Sequence, residues 1–388
     1  MTSRKRLLAS ALALAISLAA LPVATAASGP GLPSAQDIAS LVQTHTGYPV
    51  KVSLYATGLN EPRGLTFGPD GYLYVAEGGT GGTHQTTSMQ CKQVPAVGPY
   101  SGSPTGGRIS RIDRHRHRVT ITDRFPSSQT SAATGGLISG VADVAFIGHT
   151  LYALTAGAGC SHGVPGTFNG VARVGPNGSI SWIANLSAYQ KHHPVQNPEA
   201  DDFEPDGTWY SMVALHGKLF ALEPNHGELV RIRLGGAIKR VVDVSASQGH
   251  IVPTALAYHG HFFIGNLNTF PIVAGSSKVL ELTHHHQLWP AADRLTTIVG
   301  LAFDCHGRMY VLENTTGKAN MAPTPGTGKV VRIEPSGARK AIITGLTLPT
   351  AMTFGPDGAL FVSNAGFGLP PGMGQVLRFD LDDWRDGH

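Results

Sequence analysis

The chain has 388 residues, with 29 Lys and Arg against 25 Asp and Glu, and charged residues make up only 14% of it. An ordinary globular protein carries roughly 25% charged residues, so the composition excludes a long, highly charged disordered chain. Its 49 glycines lack the three-residue period of a collagen. Arg4, Lys5 and Arg6 precede an apolar run over 7–20, followed by Pro22 and the small residues Ala24, Thr25 and Ala26. This order is that of a secretory signal peptide over 1–26, cleaved after Ala26, which places the mature chain outside the cytoplasm. The apolar run is too short to span a membrane, and the mature chain is expected to carry no transmembrane segment. Without 1–26 the balance is 26 basic against 25 acidic residues. Such a near-neutral domain has no electrostatic footprint for nucleic acid.

Residues 27–50 read as a lead-in, with one short amphipathic turn over 34–42. From 51 to 388 the chain repeats. The segments 64–78, 143–157, 210–227, 254–266, 299–314 and 350–366 each give a short apolar strand, a tight polar turn and a second apolar strand. The aligned ends of the first strands are Phe67, Phe146, Leu215, Tyr258, Phe303 and Phe354, spaced by 79, 69, 43, 45 and 51 residues. The shorter spacings match the roughly 40–50 residues of a four-stranded propeller blade, and the longer ones are blades with insertions. Third strands open at Gly107, Gly170, Gly227, Ser277, Gly328 and Gly374, and outer strands open at Val119, Ile180, Ile238 and Arg339. The outer strand of blade 4, around 287–296, is the poorest match. The last repeat has no room for an outer strand, and 51–58 supplies one. The expected fold is therefore all-β, a six-bladed β-propeller closed by an N-terminal outer strand that completes the last blade.

With strands lettered A to D from the centre outward, the A–B turns share one face and the B–C loops and D-to-A connectors share the other. The insertions 78–106, 157–169, 265–276, 314–327 and 364–373 are B–C loops, and 126–140 and 187–209 are connectors. All fall on one face, where binding and catalysis concentrate. Cys91 and Cys160 lie in B–C insertions of neighbouring blades on this face, and Cys305 lies in an A–B turn on the other. A Cys91–Cys160 disulfide is expected in a secreted chain. The competing reading is a Cys/His metal cluster with His84 and His162.

The run Pro-Arg-Gly-Leu-Thr-Phe-Gly-Pro-Asp-Gly over 62–71, with Leu73, Tyr74, Val75, Ala76 and Glu77, resembles the opening of the ScyD/ScyE family of exported β-propeller proteins. So do 107–112, the acidic stretch over 197–207 and the late 348–358, and the resemblance spans nearly the whole mature chain. Single motifs are shared with NHL and SMP-30/gluconolactonase propellers. The resemblance implies an exported propeller without an established reaction.

Gluconolactonase-like propellers hold a divalent metal in the central channel with Glu, Asn and Asp side chains. The B-strand ends here offer Glu77, Asn225 (or Glu223), Asn266, Glu313 (or Asn314) and Asn364, oxygen donors suited to Ca²⁺ or Mg²⁺ at a channel mouth. The pattern departs from the lactonases at Glu61-Pro62-Arg63-Gly64, and no paired general base is visible. The same residues would equally cap turns and hydrogen-bond backbone. Glu199, Asp201, Asp202, Glu204 and Asp206 form an acidic loop entering blade 3, readable as a solvated loop or a cation site without EF-hand spacing. The run His284–His286 lies away from the loop face, with adventitious metal affinity. Asn177, Asn185 and Asn314 begin glycosylation sequons. No Gly-x-Ser-x-Gly elbow and no P-loop occurs.

These readings assign no catalytic residue. They favour recognition of a small molecule, a glycan or an envelope protein through the loop-rich face. The alternatives are a divalent-metal-dependent hydrolase or lactonase in the channel, and a protein–protein platform, which requires a broad apolar patch on the loop face.

Overall fold

Apolar residues on both sides of each inner strand demand cover on both faces, and a ring of sheets supplies it. In a computed structural model, which describes residues 34–381 apart from 48, 96, 133–135, 199–202 and 317–322, the repeats form six antiparallel sheets. Blade 1 comprises strands Pro62–Phe67, Leu73–Glu77, Ser101–Ile112 and Arg118–Gln129. Blade 2 comprises Val141–Ile147, Thr150–Thr155, Gly170–Val174 and Ile180–Asn185, and blade 3 Ser211–Leu215, Lys218–Glu223, Glu228–Ile232 and Ile238–Asp243. Blade 4 comprises Pro253–His259, His261–Asn266, Ser277–Leu282 and Leu288–Leu295. Blade 5 comprises Ile298–Phe303, Met309–Glu313, Gly328–Ile333 and Arg339–Leu346. Blade 6 has Ala351–Phe354, Leu360–Asn364 and Gly374–Asp380, and its outer strand is Lys51–Leu59 from the other end of the chain. The molecule is a six-bladed β-propeller. The expected signal peptide over 1–26 lies outside the described residues, and no described helix is long and apolar enough to cross a membrane.

Each of the six hydrophobic clusters lies between two neighbouring blades. Tyr74, Ala76 and Ile109 of blade 1 meet Val144 and Leu151 of blade 2, and Trp209, Met212 and Leu219 of blade 3 meet Leu154 and Val171 of blade 2. The same pattern runs around the ring to Phe361 and Val376 of blade 6, which pack on Leu73 and Val75 of blade 1. The core is thus a circle of interfaces, so a gap at any blade would expose two of them.

Side chains near the starts of five A strands, and Asn314 at the end of the B strand of blade 5, fasten the same six interfaces around the channel. Arg63 donates to the Ile138 carbonyl, Asp143 accepts from the Met212 amide at 2.7 Å, and Ser211 donates to the Thr254 carbonyl at 2.7 Å. Thr254 donates to the Ile298 carbonyl, Asn314 to that of Pro349 and Thr350 to that of Pro62. Each bond crosses from one blade, or its connector, to the next.

Three features depart from the expectations. The C and D strands of blade 1 run for 12 residues each, so 101–106 and 126–129, expected as loop and connector, are a strand extension rising above the ring. Gly102, Gly106, Gly107 and Pro104 gave this segment the composition of a turn. The lead-in does more than enter the ring: Gln43–Thr44 adds a fifth strand to blade 5. Its helix Ala35–Ser40, closed by a Ser34–Asp37 capping box, accepts a bond from Gln375 of blade 6 at the Ala35 carbonyl. Two further helices, Leu186–His192 and Val244–Gln248, occupy D-to-A connectors and are capped by Asn185 and Asp243.

Candidate functional site

The loop face has two built regions, the channel mouth and a platform over blades 1–3. At the channel mouth the A strand of blade 1 opens on Glu61, Pro62 and Arg63. Glu61 sits at φ +47, in the left-handed region. It is buried and accepts from Arg63 at 2.9 Å and from the amides of Ile138 and Gly368 at 3.2 and 3.0 Å. Burial outweighs these partners and pushes its pKa up to about 7.

Asp143 lies on the neighbouring A strand, where burial pushes it up to about 7 against the amides of Val144 and Met212. Its approach requires Gly64 opposite, since a Cβ there would lie 1.9 Å from the Asp143 carboxylate. Tyr210 of blade 3 reaches across the ring and donates to the Thr350 carbonyl of blade 6 at 2.9 Å. Burial pushes its phenol up to about 12, against the lowering pull of the Arg63 guanidinium. An arginine, a tyrosine and two carboxyl groups that exchange protons near neutrality therefore share one end of the channel. Chemically, they can hold a small polar molecule and move a proton to or from it.

Of the B-strand-end residues expected to converge there, Glu77, Asn266, Glu313 and Asn364 are bonded within their own blade or to the connector that enters it. Glu77 is fully buried, ion-paired with Arg108 at 2.5 Å, and accepts from the Asn60 amide at 2.6 Å. Glu313 pairs with Lys329 at 3.1 Å, with its pKa raised by burial. Asn266 spans the Ile251 carbonyl and the Lys278 amide, and Asn364 accepts from the Thr347 amide at 2.8 Å. Asn225 lies in the B–C turn of blade 3, beside Glu223, which takes the Thr208 amide at 2.9 Å. Four of these bonds run to the connector that enters the same blade. A cation drawing on Glu77 and Glu313 would compete with Arg108 and Lys329. Among the described residues no group of three or more His, Cys, Asp or Glu side chains is placed to hold a metal ion.

The platform joins insertions from three blades. Cys91 of blade 1 and Cys160 of blade 2 form a disulfide across 69 residues, and Cys305 is free and exposed. The alternative Cys/His cluster is thereby overturned: Cys91 and Cys160 are consumed by each other, and His84 donates from Nδ1 to the Gly163 carbonyl at 2.7 Å. Beside the disulfide, Tyr100 donates to Glu204 at 3.0 Å and stacks on His162, whose Nε2 lies 3.1 Å from the other Glu204 oxygen. Burial holds the His162 imidazole below its usual pKa, and Asp206 pulls the other way. Asp206 takes both the amide and the hydroxyl of Ser161, at 2.8 and 2.6 Å. The acidic loop is thus not solvated at Glu204, which is 3% exposed, while 199–202 lie outside the described residues. Lys92 stands 3.9 Å over the Phe203 ring at the platform edge.

Sequence reasoning missed Arg63, Asp143 and Tyr210 as site residues, although the repeat alignment carried a signal. Three positions before the aligned strand end stand Gly64, Asp143, Met212, Ala255, Gly300 and Ala351. Four positions before it stand Arg63, Ala142, Ser211, Thr254, Val299 and Thr350. One charge breaks each otherwise neutral column.

The sequence matches no family model and no curated protein. Among solved structures, the fold is similar to a protein of unknown function from Bacteroides thetaiotaomicron, at 9% identity and a TM-score of 0.52, covering 85% of this chain and 76% of that one. It is also similar to an oxidoreductase named as a glucose dehydrogenase from Thermus thermophilus, at 16% identity and a TM-score of 0.51, covering 86% and 100%. A gluconolactonase from Xanthomonas campestris aligns at 9% identity and a TM-score of 0.50, covering 85% and 89%. At these identities the likeness shows the fold alone, a β-propeller.

Proposed function

We propose that this chain is an exported recognition propeller of the ScyD/ScyE kind, seating a small polar ligand on its loop-rich face. The observation that carries the reading is the platform: a disulfide and the buried Tyr100–Glu204–His162 contacts lock three separate insertions into one surface. Ordering such loops in advance removes an entropic cost that binding would otherwise bear. Arg63 and Tyr210, at the mouth of the channel on the same face, supply charge-assisted and hydroxyl bonding. Export is supported by the 1–26 sequence pattern and by the disulfide.

The test is thermal-shift screening of the purified chain with small carboxylates, phosphates and mono- and disaccharides. Saturable stabilisation by one class is expected, and it should weaken in Arg63→Met and in the Cys91→Ser/Cys160→Ser double variant. No response across the panel, or one unchanged in both variants, would remove the reading.

A second reading, a hydrolase or lactonase of the SMP-30 kind, is favoured by one observation. Glu61 and Asp143 both hold protons near pH 7 at the channel mouth, as acid–base groups must. Lactone hydrolysis assayed with and without added Ca²⁺, Mn²⁺ or Zn²⁺ decides it. Turnover lost in Asp143→Asn would support the reading, and none under any condition would end it.

A further inference from the structure

On the face opposite the loops, three side chains of blade 4 meet where its B strand, its C strand and the C–D turn converge. His261 begins the B strand, Glu281 nears the end of the C strand, and His284 opens the turn that follows. The Nδ1 of His261 hydrogen-bonds to the Glu281 carboxylate. A carboxylate only accepts, so this contact keeps the proton on Nδ1 and leaves Nε2 of a neutral His261 as a bare lone pair. That lone pair faces Nε2 of His284 at 3.1 Å.

The geometry points to a two-histidine binding site for a late first-row divalent cation, with Zn²⁺ the leading candidate, between His261 and His284. Two ring nitrogens 3.1 Å apart, each about 2.05 Å from one zinc ion, subtend about 100° at it, near the tetrahedral value. With each ring centre about 1.15 Å behind its nitrogen, that arrangement sets the centres about 4.8 Å apart. A head-on hydrogen bond between the same nitrogens would set them about 5.4 Å apart. The observed separation is 4.6 Å, with the ring planes at 90°, shorter than a head-on hydrogen bond sets it and close to the value that a shared ion sets.

The Glu281–His261 contact is the carboxylate–histidine pairing that orients metal-bound imidazoles and raises their basicity. Imidazole ligands select zinc, copper and nickel over calcium and magnesium. No third His, Cys, Asp or Glu side chain completes the set among the described residues, so water fills the remaining positions of the open site. His285 and His286 are exposed in the same turn. The specific claim is that His261 and His284, and not the run as such, bind the ion.

The experiment uses the full chain, made without a polyhistidine tag, stripped with a chelator and titrated with Zn²⁺ against a chromogenic competitor. One saturable site is expected. His261→Ala and His284→Ala should each weaken it by at least about tenfold, and Glu281→Gln by about tenfold, as for other outer-shell partners. His285→Ala/His286→Ala should leave affinity within about threefold, the scatter of a neighbouring surface change. Absence of saturable binding overturns the proposal, as does binding that His284→Ala leaves intact or that only the 285/286 variant abolishes. His284 is exposed in a turn, so its variant folds even if His261→Ala does not. Electron paramagnetic resonance of the Cu²⁺-loaded chain should report two bound nitrogens, and fewer than two would also overturn it.

Discussion

Tyr210 of blade 3 donates its hydroxyl to the Thr350 carbonyl of blade 6, 2.9 Å away, so one side chain joins opposite sides of a six-membered ring. Thr350 in turn donates to the Pro62 carbonyl of blade 1, which continues the connection into the blade that carries Arg63. With its pKa near 12, the Tyr210 phenol remains a donor across the whole working range of pH. Tyr210→Phe keeps the ring and removes this bond, at an expected cost of about 1 kcal/mol. Tyr210→Ala also opens a cavity at the channel mouth and should cost about 3–5 kcal/mol. Urea denaturation measures both. Equal stability of the Phe variant and the wild type would mean that the bond across the channel contributes nothing.

The two carboxyl groups at the mouth give the fold a pH dependence with a definite sign. Glu61 has an ordinary value of 4.5 and Asp143 one of 3.8, and burial raises both to about 7 in the folded chain. Between these limits the folded chain binds more protons than the unfolded one, so stability falls as pH rises. Their contribution is fully present below about pH 4 and lost by about pH 7. For Glu61 alone the loss is on the order of 3 kcal/mol. His162 acts in the opposite direction: its lowered pKa makes the fold lose stability as pH falls below the usual imidazole range. Melting temperature against pH should therefore decline from mildly acid to neutral pH, and Glu61→Gln should flatten that limb. A limb as steep in the variant as in the wild type would show that Glu61 does not titrate there.

The fold was legible because its signals are local. Gly68-Pro69-Asp70-Gly71 and Gly355-Pro356-Asp357-Gly358 set hairpin turns, with Gly71 and Gly358 at φ +74 and +78, and the strand patterns on either side follow. Ring closure was legible because Lys51–Leu59 fills the place of a strand that the last repeat lacks. The helices Leu186–His192 and Val244–Gln248, of seven and five residues, are too short to show a period, and only their Asn185 and Asp243 caps mark them. The site was harder to read because its partners are distant in sequence. Glu77 as a residue type suits a cation, yet Arg108, 31 positions later, sits directly across the sheet and neutralises it. The charge at Asp143 was visible against its five neutral counterparts, but what it touches depends on Met212, 69 positions away.

The disulfide should order the platform more than it holds the ring. Closing a loop of 69 residues is worth about 4 kcal/mol in the chain-entropy model, an upper figure where the cross-link joins surface insertions. In Cys91→Ser/Cys160→Ser, hydrogen exchange should accelerate at 84–103 and 157–168 while the B strands stay protected. Cys305, free and exposed, reacts with iodoacetamide in both proteins and serves as the internal standard. Faster exchange in the B strands would instead assign the disulfide to global stability.

The N-terminal segment makes two additions to the ring with different expected consequences. Gln43–Thr44 extends blade 5 by two residue pairs, whereas Lys51–Leu59 is the outer strand of blade 6 and brings Tyr55, Ala56 and the fully buried Leu59 into the interface with blade 1. Starting the chain at residue 50 should lower the melting temperature and leave unfolding cooperative, since the added edge and the peripheral helix Ala35–Ser40 are lost while the outer strand of blade 6 stays. Starting it at residue 60 opens the Gly374–Asp380 edge and uncovers an interface between blades, so the product should be insoluble or lack a cooperative transition. Leu59→Ala in the full chain should cost about 2–5 kcal/mol, the range for a large buried aliphatic cut to a methyl. Urea midpoints and solubility distinguish these cases. A chain beginning at residue 60 that unfolds with the wild-type midpoint would mean the ring closes without its N-terminal strand.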